Sequence, residues 1–322
     1  MKNTKVIKQK QSFGTMYQKY GILLVLLIEV IFFTFMHQRF LTPDNLLSVG
    51  RQISFIGISA IGMTIVMVGG GIDISVGSML ALSGVLAAKF TVEMGVPLPV
   101  SIIITLALGI VFGMINGFTT SVLRIPPLIS TLAMQTMLRG IAFLVTGALP
   151  IKNIPDSFKY LGQGYLGGVF PLPLFIMIFL FLIGCWIMHR SYFGRWIYAV
   201  GGNIEAARLS GINTTKVQIS TYALCSLFTA FAGVLMAGRL GSGQPSIGEG
   251  FEMDVLTATV LGGVSVSGGR GRIMNVLIGA LIMGILSTGM IMIGLNEYWQ
   301  WVVKGLVLIF AVTMSNLGTN SK

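Results

Sequence analysis

Apolar runs recur from one end of the chain to the other, at 20–36, 53–68, 79–90, 98–123, 128–146, 171–188, 217–238, 253–266, 273–293 and 298–314. Short polar stretches rich in glycine separate them. About 20 apolar residues let a helix cross roughly 30 Å of hydrocarbon, so the pattern predicts an all-α integral membrane protein with about ten transmembrane helices. The third and eighth runs are short for a full crossing, which predicts broken or partly inserted helices there. A barrel would need short alternating segments, and the runs do not alternate. The predicted organisation is a basic tail at 1–19, one transmembrane domain at 20–316 with a cytoplasmic loop at 189–216, and a second tail at 317–322.

Composition agrees with this reading. Of 322 residues 54% are hydrophobic and 10% charged, and the mean hydropathy is +0.87; an ordinary globular chain carries about 25% charged residues. The net charge of +11 is mostly a topology signal. Placing both termini inside puts thirteen of the 21 Lys and Arg residues on inner segments and six on outer ones, with Arg139 and Lys304 inside runs. That asymmetry predicts an N-inside, C-inside chain and does not call for nucleic acid. The basic start MKNTKVIKQKQ resembles the opening of a signal peptide, but the first run ends in MHQRF without a small-residue cleavage site, so it reads as a retained span. Cys185 and Cys225 fall within runs at no metal or redox spacing and read as buried thiols.

A repeat is visible in the motifs. SVGS at 75–78 and SIGE at 246–249 each follow glycines; with Gly77 set against Gly248, GMING ends 40 residues on at Gly117 and GILSTG ends 41 on at Gly289. Arg139-Gly140 and Lys304-Gly305 then correspond roughly, each a cation and a glycine inside an apolar run. The second to fifth runs match the seventh to tenth with opposite orientation, which predicts an inverted repeat of the kind that builds transporters.

The stretch GGGIDISVGS at 69–78 looks at first like a phosphate loop. It lacks the following Lys-Ser/Thr, and no lysine in the chain precedes Ser or Thr, so a nucleotide would be hydrolysed by another chain. Between two apolar runs it reads as a helix interruption, with GSGQPSIGEG at 241–250 as its counterpart on the opposite face. The expected helix-break or path residues are Gly70, Gly71, Asp73, Ser75, Gly77, Asn116, Gly262 and Gly263. Asp73 is expected to cap the third span by accepting N–H bonds from its first turn; a substrate or proton role would need deeper burial. Ionisable groups well inside the runs, away from their ends, are Glu29, Arg139 and Lys304, the last two expected to bridge helices, bond carbonyls or snorkel. Seven acids, Asp44, Glu93, Asp156, Glu249, Glu252, Asp254 and Glu297, fall in or beside outer segments, which argues against ion coupling.

Between the sixth and seventh runs lies GRWIYAVGGNIEAARLSGINTTKV. Asn203 is a good N-cap, IEAARL a helix former and Gly211 a C-terminal stop, so a helix of about two turns is expected. So short a helix is marginal alone, and it lies either against its own protein or the lipid surface, or on a partner.

Four motifs, AIGMTIVMVGGGIDISVGSMLALSG, TLAMQTMLRG, FGRWIYAVGGNIEAARLSGI and ATVLGGVSVSGGRG, together resemble the permease subunits of ribose-type monosaccharide ABC importers. The likeness runs from about residue 40 to 312, with Ile74 where leucine is frequent and Ser267 where alanine is common. It implies a multi-pass permease of the bacterial cytoplasmic (inner) membrane that makes no covalent bond and moves a pentose, hexose or related polyol by alternating access. It implies as partners a second permease chain, an extracytoplasmic sugar-binding protein and a cytoplasmic ATPase, which holds the ATP and magnesium; no cofactor is expected on this chain. It also implies that Gly201, Gly202, Asn203, Glu205, Ala206, Arg208, Leu209 and Gly211 form the segment seated in that ATPase. The alternative class is an ion-coupled secondary transporter of a small polar solute, which the repeat favours and the placement of the acids opposes.

Overall fold

The computed structural model describes residues 13–319, with side-chain environments at 21–313. Most of the expected basic tail, with Lys2, Lys5, Lys8 and Lys10, therefore lies outside the described residues, as does Lys322. The first helix, α1 (Phe13–Met36), begins seven residues before the expected first span.

Each of the ten apolar runs falls on a helix. After α1 these are α2 (Pro43–Val68), α3 (Val76–Ala88), α4 (Leu98–Ser121), α5 (Pro127–Thr146), α7 (Leu172–Arg190), α10 (Thr214–Leu240), α11 (Phe251–Leu261), α12 (Ile273–Met292) and α13 (Glu297–Thr319). Among the described residues seven are long and apolar enough to cross a membrane, counting α3 with the wider π-type turn at Lys89–Glu93 that extends it. Short pieces fill the polar segments: α6 (Asp156–Gln163), a two-residue hairpin pairing Tyr165–Leu166 with Phe170–Pro171, α8 (Tyr192–Gly202) and α9 (Ile204–Leu209).

Local chemistry sets the ends. Proline occupies the first turn of α2, α4, α5 and α7, where its missing N–H costs nothing. Asn213 caps α10 by accepting from the Lys216 N–H, and Gly241 at φ 68° stops it. The second apolar run underestimates its helix: α2 starts ten residues earlier because its first turns are polar on one face only. The eighth overestimates: α11 stops at Leu261 because Gly262 and Gly263 follow.

Helices α2 and α10 form the centre and lie antiparallel. Gly62 of α2 sits against the Cys225 backbone, and Arg239 near the far end of α10 donates to Gln52 at 2.8 Å. Around them the pairings are mirrored. α2 packs on α11 and α12, α10 packs on α3 and α4, and α3–α5 contact is answered by α11–α13 contact. Each central helix thus packs chiefly against helices from the other half of the chain. Close approach is possible because small residues line the seams: Gly113 and Gly117 of α4 meet the α10 backbone at Tyr222 and Ile219, and Gly84 of α3 meets Gly233. α2 is almost wholly buried, whereas α4, α5 and α7 expose most of their apolar surface, as lipid-facing helices do.

Candidate functional site

The chain breaks at both expected places. α2 ends at Val68, residues 69–75 form an irregular turn, and α3 starts at Val76; α10 ends at Leu240, residues 241–250 turn, and α11 starts at Phe251. The two breaks meet. A side chain at Gly77 would strike the Gly248 carbonyl and the Glu252 carboxyl, and one at Gly248 would strike the Gly77 carbonyl. From this contact α3 runs along α10 toward Gly243, while α11 runs the other way, so that the residues after it reach Val68 and Gly201. Two half-helices therefore face each other head to head, first turn against first turn.

That geometry accounts for three buried carboxyls. A helix N-terminus carries roughly half a positive charge and favours acidic groups nearby. Asp73 is fully buried before α3, and Glu252 and Asp254 are buried in the first turn of α11. Gln135 of α5 donates to Glu252 Oε1 at 3.1 Å, Lys304 of α13 pairs with Asp254 Oδ2 at 2.7 Å, and Arg139 donates to the Pro245 and Ile247 carbonyls at 2.7 and 2.6 Å. Arg139 and Lys304, matched by the repeat, thus each hold the α10–α11 break or the helix after it.

Glu252 and Asp254 do not lie on an outer polar segment; they are core residues, while Asp44, Glu93, Asp156, Glu249 and Glu297 are exposed. The inference from missing interior carboxyls therefore fails, because Glu252 and Asp254 stand at the very edge of the eighth apolar run and hydropathy alone does not show that this edge is folded back into the core. Nor does Asp73 cap α3. Its Oδ1 accepts from the Ser75 N–H at 2.9 Å and the Ser75 hydroxyl at 2.5 Å, a local turn that ends before the helix begins, and Ser75 itself stands at the N-cap. Asn116 of α4 donates to Ser75 Oγ at 3.0 Å and lies 3.4 Å from both Asp73 oxygens.

The segment between α7 and α10 folds as its caps dictate. Ser191 accepts from the Gly194 N–H to start α8, and Asn203 accepts from the Ala206 N–H at 3.0 Å to start α9. Gly211, at φ 83°, ends α9, with the Ile212 N–H returning to the Ala207 carbonyl. Only Ala207 of α9 is buried. Glu205 and Arg208 pair at 3.3 Å on the exposed face, Ala206 is exposed, and Leu209 is 89% exposed. An apolar tip and a charged pair are offered outward on a rigidly capped turn.

This segment and the α11–α12 loop meet the end of α2 and the first break through close backbone contacts. A Cβ on Gly201 would collide with the Val68 carbonyl, Gly70 and Gly268 are in contact, and the Gly269 N–H donates to the Val68 carbonyl at 2.9 Å. Tyr198 closes the junction by donating to the Gly271 carbonyl at 2.6 Å, and burial pushes its phenol pKa up. Of the expected break residues, Gly70 and Gly71 lie at this junction, the latter against the Tyr222 ring. Asp73, Ser75 and Asn116 form one network, and Gly77 lies at the half-helix contact. Gly262 and Gly263 stand apart, at the end of α11, where Gly262 lets α12 approach at Val276. Sequence reasoning missed Gly268 and Gly269 as junction residues; their GG doublet was the available signal. Among the described residues no group of His, Cys, Asp and Glu is arranged to hold a metal.

Comparison with known proteins places these features. Residues 45–312 match the model of the family described as branched-chain amino acid transport system / permease component. The chain is 41% identical over 305 residues to the ribose import permease protein RbsC of Escherichia coli (strain K12), covering 94% of each. It is 42% identical over 304 residues to the ribose import permease protein RbsC of Bacillus subtilis (strain 168), again covering 94% of each. The xylose transport system permease protein XylH of Haemophilus influenzae is 33% identical, with 92% of this chain and 95% of that one covered. No solved structure matches.

Proposed function

The chain belongs to the branched-chain amino acid transport system / permease component family, and from that premise we propose that it is the membrane permease of an ABC importer that brings a monosaccharide into the bacterial cytoplasm. The similarity to ribose and xylose permeases over at least nine-tenths of the chain carries this reading. It also decides against ion coupling, which the buried carboxyls alone would have left open. The pentose class is favoured, since the named relatives are ribose and xylose permeases.

The rest of the mechanism follows from the geometry as proposal. Ten spans with both termini inside are supported by the ten apolar helices and the charge asymmetry. The mirrored packing of α2 with α10, and of α3–α5 with α11–α13, supports an inverted repeat. The permease works with a second permease chain, an extracytoplasmic binding protein and a cytoplasmic ATPase that supplies ATP and magnesium. Segment α8–α9 seats in the ATPase through Glu205, Ala206, Arg208 and Leu209, and Gly201, Gly202, Asn203 and Gly211 fix its shape. Nucleotide drives transport because it binds one ATPase arrangement preferentially; equal affinity would shift nothing.

The test is co-purification. Glu205→Ala with Arg208→Ala removes an exposed pair of little worth to stability, on the order of 0–1 kcal/mol, so the permease inserts and melts normally while the ATPase no longer co-purifies. Undiminished sugar uptake by cells lacking the ATPase sinks the ABC reading.

A further inference from the structure

We infer that Asp73, Ser75 and Asn116 form the joint through which movement of the α8–α9 segment reaches the half-helix α3, with Asp73 as a positioning residue. This rests on the importer reading and assigns one step within it.

The contacts form a continuous chain. Gly201 at the end of α8 lies on the Val68 carbonyl, and Gly70 lies beside it, so displacement of α8 must move the end of α2 and the start of the break. Three residues further on, the break is gripped from three helices. Asn116 of α4 bonds Ser75, and the hydroxyls of Tyr222 of α10 and Thr131 of α5 both reach the Ile72 carbonyl at 3.5 Å. Ser75 is the residue on which α3 begins.

The chemistry of Asp73 singles it out. An asparagine would make the same turn to Ser75, and an amide is far cheaper to bury than a carboxyl without a cation. Among the described residues Asp73 has no ion-pair partner, only neutral donors. What the carboxyl adds is a second strong acceptor, and Asn116 stands between choices: 3.0 Å from Ser75 Oγ and 3.4 Å from each Asp73 oxygen. The amide has two N–H groups for these three acceptors, so a shift of a few tenths of an ångström redistributes its bonds between Ser75 and the two Asp73 oxygens. Two bonded arrangements of one packed joint are what a switching element requires.

The experiment uses the complete importer in proteoliposomes with its ATPase and binding protein, and measures labelled sugar taken up and ATP hydrolysed. Asp73→Asn keeps the turn. The expected result is normal insertion and ATPase association, near-normal hydrolysis, and about ten-fold more ATP consumed per sugar, a typical size for lost coupling between sites. Asn116→Ala is expected to do the same, and the double variant to be no worse than either alone. An unchanged ratio in Asp73→Asn or Asn116→Ala overturns the inference. So does failure of Asp73→Asn to insert or assemble, which would assign the carboxyl to folding. Uptake that is independent of the ATPase in the unmodified importer defeats the underlying reading; ATPase-dependent uptake with an unchanged ratio defeats only this one.

Discussion

Replacing Lys304 by methionine keeps most of its volume and strands Asp254, which is 5% exposed and has its other oxygen, Oδ1, without a partner. At 2.7 Å the gross attraction of the pair is about 6 kcal/mol for an effective dielectric of about 20. Removing both charges from water costs several kcal/mol for each, so the intact pair comes close to balance. Its loss on one side does not balance, and the expected cost of Lys304→Met is about 3–5 kcal/mol. At roughly 2 °C per kcal/mol for a chain of this size, that lowers the melting point by about 6–10 °C. The double variant Lys304→Met with Asp254→Leu removes both charges and should recover to within about 1 kcal/mol of the unmodified protein. Cys185, expected to be buried, is only half-buried, whereas Cys225 is fully buried; melting of the purified permease in detergent can therefore be followed with a thiol-reactive dye in a Cys185→Ser background, where the remaining Cys225 becomes reactive on unfolding. A loss below about 1 kcal/mol in the single variant, or a double variant as unstable as the single, would refute a buried and mutually dependent pair.

Other outcomes follow from equally local features. Gly201→Val should prevent assembly of the junction, since its Cβ would collide with the Val68 carbonyl and lie near the Gly269 N–H; the readout is limited proteolysis of membranes, and a protease-resistant variant contradicts it. Asn203→Ala should cost about 1 kcal/mol of helix cap and weaken ATPase co-purification, whereas Asn203→Asp, which still caps, should retain it. Arg139→Gln should lose about 2–3 kcal/mol from its charged bonds to the Pro245 and Ile247 carbonyls; the 241–250 turn should then become accessible to protease, and an equally protected turn would show that these bonds do not hold it.

What could be read in the sequence was what short-range chemistry determines. Asn203, IEAARL and Gly211 specify a capped turn within nine residues, and α9 forms as expected. The glycine clusters mark both helix interruptions for the same reason. Hydropathy finds all ten apolar helices, yet misses α8, which at 11 residues is too short for a span and buries only one face, Gly194, Ile197 and Val200, while Tyr192, Arg195 and Trp196 stay exposed. The burial of Glu252 and Asp254 was beyond reach, since it depends on partners 117 residues before one and 50 after the other. Asp73 failed as a cap for a related reason: its spacing fits a cap and a two-residue turn almost equally well, and Asn116 from α4 favours the turn.

The exchange of central helices between halves bears on how the protein is made. α2 is complete at residue 68 and its partner α12 begins at residue 273, so at about 5–20 residues per second α2 waits in lipid for roughly 10–40 s before α12 is synthesised. Its composition suits a wait. The Ser54 and Thr64 hydroxyls bond the Gly50 and Ala60 carbonyls of their own helix and bring little unmet polarity into hydrocarbon, while the Ser59 hydroxyl, buried without a partner, is one that the wait leaves unmet. Neither half can reach its native packing alone: a ribosome that stops between α5 and α10 leaves an inserted but unassembled chain for quality control to remove, and a gene split in that region yields an active permease only when both pieces are made together.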